Sequence, residues 1–211
     1  MLIAQEAFDL IVAEEVSSEA AYRKRYRRPV WPGENSGVTI GIGYDLGYTS
    51  RTQIEADWDP YLEKPERAAL AAVQGVKGAA AEQLARGLRH IEIPLAAAEP
   101  VFYASTLPRF AKSTRDTFPG AEKLPLDAQG ALLSLVFNRG TSLAGERRAE
   151  MRAIRDELAK RRASLKCIAE LLEAMGRLWP NVRGLRDRRV REAELVRGAR
   201  RRYSAGERVD L

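Results

Sequence analysis

Apolar residues recur at helical spacing along most of this chain, and the breaks in that pattern mark where to look for chemistry. From Leu2 to Val16, the residues Ala4, Ala7, Phe8, Ile11 and Val12 follow a period of about 3.6, which predicts an amphipathic first helix. Ser50-Arg-Thr-Gln53 reads as a capping box that opens a helix through Ile54 and Trp58. Pro65 to Leu88 is alanine-rich helix, interrupted around Gly75-Val-Lys-Gly78, and another helix runs from near Leu95 to Pro108 with Pro100 in an early turn. Asp127 is placed to cap the next one, where Ala131, Leu132, Leu133, Leu135, Val136 and Phe137 leave almost no polar face. Such a helix belongs in the middle of a bundle, and Gly140 after Asn138-Arg139 is its expected stop. Two further helices pass through Met151, Ile154 and Leu158, and through Ile168, Leu171, Leu172 and Met175. The pattern predicts an α+β chain, mostly α, with one small sheet.

The helical pattern fails in two places. Residues 17 to 36 combine Ser17-Ser18, a basic run from Arg23 to Arg28 and a segment rich in turn residues, which predicts an extended stretch followed by a loop. Within it, Trp31 is either a platform for a sugar ring or an apolar plug under the loop. Gly37-Val-Thr-Ile-Gly-Ile-Gly-Tyr-Asp-Leu-Gly47 then alternates β-branched residues with glycines and ends on a carboxylate. A straight strand would hold Thr39 and Asp45 roughly 20 Å apart at about 3.3 Å per residue. If they act together, the chain must fold back near Ile42-Gly43, and the bare glycines leave room for a ligand.

Glu15, then Tyr22, then Thr39-Ile-Gly-Ile-Gly resembles the opening of the phage-type lysozymes, a family of muramidases, and Gly43-Tyr44-Asp45-Leu46-Gly47 resembles the pesticin-like branch of that superfamily more closely. Ala131 to Gly140 is similar to the central helix of these enzymes, and Gly184-Leu-Arg-Asp-Arg188-Arg189 through Glu192 to the Gly-Leu-x-x-Arg-Arg-x-x-Glu segment near their end. The resemblance implies a single two-lobed lysozyme-like domain, with a small β-containing lobe over about 1–65 and a helical lobe over about 66–211. It implies catalysis by Glu15, Thr39 and Asp45, and an Asn138-Arg139-Gly140 terminus that faces the substrate cleft alongside Tyr44. In the phage-type enzymes the second carboxylate precedes the threonine, at the position that is Lys24 here, so Glu34 is an alternative to Asp45. Glu14 and Glu15 both border the apolar face of the first helix, and periodicity does not choose between them.

Composition narrows the remaining classes. One cysteine, Cys167, excludes an internal disulfide framework, and one histidine, His90, argues against a histidine metal site, so no metal or cofactor is expected. The N-terminus lacks a basic leader with an apolar core, which predicts a protein made in the cytoplasm that reaches the wall by a separate route. The net charge of +6 is concentrated between Arg177 and Leu211, with eleven arginines against five acidic residues. A basic face suits nucleic acid, anionic lipid or the acidic polymers of a bacterial envelope, and charge alone does not choose among them. The competing reading is a cationic nucleic-acid- or membrane-binding protein without catalysis, although no nucleic-acid-binding motif is present.

Cleaving a glycosidic bond needs a proton for the leaving oxygen and an activated water, tasks that two carboxyl groups divide. The expected roles are Glu15 as general acid, Asp45 as the carboxylate that orients water and Thr39 as the hydroxyl that holds it, in a monomer acting on peptidoglycan glycan strands. Arg148, with its planar fork of donors, is either a contact for a substrate carboxylate or a solvated surface residue.

Overall fold

The computed structural model describes residues 1–15, 19–200 and 202–211 of the chain. Val16, Ser17 and Ser18, where the sequence predicts the end of the first helix and the start of an extended stretch, lie outside the described residues, as does Arg201. Among the described residues the chain is mostly helical, with two small two-stranded sheets, and it divides into two compact units. One consists of Met1–Glu14 with Pro108–Leu211, and the other of Glu15–Leu107. The division expected near residue 65 therefore falls elsewhere, because the N-terminal segment packs with the C-terminal helices. No helix among the described residues is long and apolar enough to cross a membrane.

In the first unit, β1 (Leu2–Ala4) pairs antiparallel with β4 (Arg208–Asp210), with Leu2 opposite Asp210 and Ala4 opposite Arg208. The helix predicted from Leu2 thus begins only at α1 (Gln5–Glu15), since pairing with the distant C-terminal strand overrides a helical pattern at residues 2–4. The remaining helices are α7 (Leu107–Thr117), α8 (Leu126–Arg139), α9 (Ala149–Leu158), α10 (Leu165–Ala174) and α11 (Arg183–Arg197). As its pattern predicts, α8 is central, and every residue from Asp127 to Val136 is buried. Leu132, Leu135 and Val136 meet Met151 and Ile154 of α9, Ile168 and Leu172 of α10, and Ala193 and Val196 of α11 in one apolar cluster.

Asp127 is not the cap of α8, because Pro125 holds that position. Its carboxylate instead accepts from the Tyr203 hydroxyl at 2.8 Å and the Arg200 amide at 3.1 Å, fastening the segment after α11. The C-terminal arginines are less of a solvated face than their number suggests. Arg188 and Arg189 are buried with Glu192, whose carboxylate accepts from Arg189 at 2.7 Å and from Ser134 of α8 at 2.6 Å. Burial pushes the Glu192 carboxyl up, while Arg189 and Arg188 pull it down. Arg191 pairs with Glu14 and Arg197 with Glu173.

The second unit holds α2 (Glu19–Arg25), β2 (Thr39–Ile40), β3 (Tyr44–Asp45), α3 (Arg51–Trp58), α4 (Lys64–Ala72), α5 (Ala79–Gly87) and α6 (Leu95–Val101). α2 corrects the extended stretch expected there. Its sequence, Glu-Ala-Ala-Tyr-Arg-Lys-Arg, is made largely of good helix formers, and it buries Tyr22, whose hydroxyl donates to the Ile93 carbonyl at 2.9 Å. Ser50 caps α3 as predicted, accepting from the Gln53 amide at 3.2 Å. The helix expected to close at Pro108 passes through a π-helical turn at Phe102–Thr106 and continues into α7.

Gly130 of α8 sets how closely α1 approaches. A Cβ built there would lie 2.2 Å from the Cβ of Ala7, a distance no packed pair tolerates. Gly130→Ala should therefore cost about 3 kcal/mol of stability through overpacking, measured by chemical denaturation. Adding Ala7→Gly, which removes the colliding methyl, should recover part of that loss.

Candidate functional site

The hairpin that joins β2 to β3 is short because its turn is Gly41-Ile42-Gly43, with both glycines at positive φ, 54° and 65°. Only glycine adopts such angles without strain. The turn puts Thr39 directly opposite Asp45 and Ile40 opposite Tyr44. Residues directly opposed across an antiparallel pair project from the same face, so Thr39 and Asp45 share one face and Ile40 and Tyr44 the other. The second face is core: Ile40 and Tyr44 are each 1% exposed, and the Tyr44 ring meets Trp58 edge-on at 5.4 Å. β2 is also bridged on its other edge, where Val30 and Thr39 exchange backbone hydrogen bonds of 3.0 and 2.8 Å.

The Asp45 carboxylate is held by backbone. Oδ1 accepts from the Gly47 amide at 2.8 Å and from the Gly37 amide at 3.1 Å, and Oδ2 also lies 3.1 Å from the Gly37 amide. The first of these bonds makes Asp45 the cap of a short 3₁₀ turn at Leu46–Tyr48. Gly37 is required for this arrangement, because a Cβ on it would stand 2.5 Å from Asp45 Oδ1 and from the Gly47 nitrogen. Thr39 is nearly buried, with its hydroxyl 3.5 Å from the Gly37 carbonyl.

Behind the hairpin, Asp57 of α3 gathers three elements. Its carboxylate accepts from the Tyr44 hydroxyl at 2.7 Å, from Gln53 Nε2 at 2.6 Å and from the Ser105 hydroxyl in the π-helical turn. Sequence reading misses Asp57 and Ser105. The available signal was Gln53, read as the far half of a capping box, whose side chain turns forward to Asp57 instead.

A family model described as "Domain of unknown function (DUF8812)" matches residues 12–113. No curated protein matches the chain. The matched stretch spans the whole of the second unit, so the hairpin and Asp57 both lie inside it.

The other expected site residues fall as follows. Glu15 is the last residue of α1, partly exposed, at the point where the chain leaves one unit for the other. Glu14, its rival, forms an ion pair with Arg191. Trp31 is half-buried and donates from Nε1 to the Ser36 carbonyl at 3.1 Å, which closes its loop. Glu34 is exposed at the loop's turn with φ of 50°. Tyr44, expected at the substrate surface, is buried and packs the hairpin on α3 instead, because it falls on the core face of the pair. Asn138, Arg139 and Arg148 belong to the first unit. There Arg139 is buried at the end of α8, its guanidinium over the Trp179 ring at 4.9 Å, while Arg148 lies next to α9 with Nη1 3.4 Å from the Met151 sulfur.

Two stability effects separate the clamp from the turn. Asp45→Asn replaces an acceptor with a donor facing the Gly37 amide and should cost about 1–3 kcal/mol. Glu34→Gly relieves a left-handed conformation and should gain about 0.5–1 kcal/mol. Urea unfolding of both variants beside the wild type measures these shifts.

Proposed function

We propose that this protein is a glycoside hydrolase with a lysozyme-like fold that cleaves the MurNAc-GlcNAc bond of peptidoglycan by inversion and serves as an endolysin-type lysis enzyme. One observation carries the reading: the register that sets Thr39 opposite Asp45 on a single face of the hairpin. A water destined for an anomeric carbon needs an acceptor and a hydroxyl at neighbouring positions, and this pair supplies both. Glu15 acts as the general acid. Its spacing to Tyr22 and Thr39, as in the phage-type lysozymes, supports giving the role to Glu15 rather than to Glu14.

In this mechanism Glu15 protonates the glycosidic oxygen as the bond to the anomeric carbon breaks. Asp45 orients the incoming water and takes up its proton, and the Thr39 hydroxyl fixes the water's direction. Backbone amides at Gly37 and Gly47 hold the Asp45 carboxylate in place, so little of its orientation is left to be fixed on binding substrate. Asp57 positions the hairpin through Tyr44 without touching the reacting atoms.

Lysis of purified peptidoglycan by variants tests the assignment. Glu15→Gln should lose about 10²–10⁴-fold in rate with folding unchanged, the usual contribution of a general acid. Asp45→Asn should be severely impaired even below its melting range, Thr39→Val should fall about tenfold for one lost hydrogen bond, and Glu34→Gln should keep its rate. Full activity in Glu15→Gln overturns the proposal. An inactive Glu34→Gln beside an active Asp45→Asn moves the second role to Glu34.

A further inference from the structure

A cavity of about 610 Å³ opens on the first unit, lined by Glu146, Arg147 and Arg152 before and within α9 and by Arg177, Leu178 and Pro180 after α10. Three guanidinium groups face one lining carboxylate, Glu146, and the Glu150 carboxylate that pairs with Arg177, which leaves the wall with a net charge of about +1 at neutral pH. Each arginine is anchored through one nitrogen. Arg147 Nη2 donates to the Leu178 carbonyl at 3.2 Å, Arg152 Nη1 donates to the carbonyls of Leu143 and Gly145 at 2.7 Å, and Arg177 Nη2 pairs with Glu150. A guanidinium carries five N–H donors, and the others on these three side chains have no acceptor among the described residues. The forks are thus oriented by the protein while most of their donors remain open.

A second observation points the same way. Trp179 lies between the lining residues Leu178 and Pro180, and the buried Arg139 stacks over its ring. Arg139 donates to the carbonyl of Arg147, yet its Nη1 is buried with no partner. Burial first, then the charges of Arg148 and Arg189, push the Arg139 guanidinium down to about 10, with only Glu150 opposing. Positive charge is in excess around this wall, inside the protein as well as at its surface.

We propose that the cavity binds the phosphate group of a small phosphorylated molecule, with the free forks of Arg147, Arg152 and Arg177 around its oxygens. Phosphate offers an oxygen to each of the three forks, whereas a carboxylate has only two to share among them. Guanidinium forks pair bidentately with phosphate oxygens, and the volume lies in the range of small-molecule sites. This site is independent of the glycosidase reading.

The protein is titrated with inorganic phosphate, glycerol phosphate, acetate and chloride at matched ionic strength, following the thermal midpoint and the heat of binding. Phosphate should raise the midpoint where chloride and acetate do not, and glycerol phosphate should do so if the natural ligand is an ester. Arg147→Gln should weaken phosphate binding at least tenfold. Glu146→Gln removes the one lining carboxylate and should tighten it about threefold, a gain that no folding defect mimics. If Arg147→Gln fails to fold, Glu146→Gln decides. The proposal is overturned if phosphate acts no differently from chloride, if acetate matches it, or if Glu146→Gln leaves its affinity unchanged.

Discussion

The carboxylate of Asp45 closes the loop from Gly37 to Gly47 by accepting the amides at both ends. Everything proposed for the second unit depends on that clamp. Without it the 3₁₀ turn at Leu46–Tyr48 loses its cap and Gly37 its anchor beside β2. Charge-assisted bonds from backbone amides are among the stronger hydrogen bonds available, and here they hold the side chain proposed to orient water. Asp57 reinforces the clamp from behind, joining the hairpin's core face to α3 and to the π-helical turn. Turns of that kind are rare and frequently mark functional sites.

The first unit is built on a different constraint. α8 is buried along most of its length, so its one bare position, Gly130, sets the distance to α1, and its one buried hydroxyl, Ser134, meets the Arg188, Arg189 and Glu192 group of α11. Breaking a buried ionic group by removing one member leaves an uncompensated charge, which costs more than the intact group contributes. The C-terminal helix is fixed to the core by these ions as well as by Ala193 and Val196.

Long elements with a strong period were legible in the sequence: α8 with its glycine stop, Ser50 capping α3, and the glycine-marked break between α4 and α5. The hairpin was legible too, because only a reversal at residues 41–43 brings Thr39 to Asp45. What escaped was set by contacts distant in sequence. Residues 2–4 follow a helical period and become a strand because residues 208–210 pair with them. Tyr44 turns inward because register, which residue type does not reveal, puts it opposite Ile40. α2 was hidden by its charge, since a basic run reads equally as loop or helix until Tyr22 finds its partner at Ile93. The arginines of α11 likewise suggested a surface, and only folding turns two of them inward against Glu192.

In this account an acid at the end of α1 acts with a hydroxyl and a carboxylate that the hairpin register sets side by side, and the bond they hydrolyse is glycosidic. Mass spectrometry of the fragments released from purified sacculi by the wild-type protein, after borohydride reduction, tests this most directly. The account predicts disaccharide-peptide units that end in a newly reducible MurNAc, formed by addition of water. Fragments cut only at peptide bonds, or strands left at their original length, would contradict it.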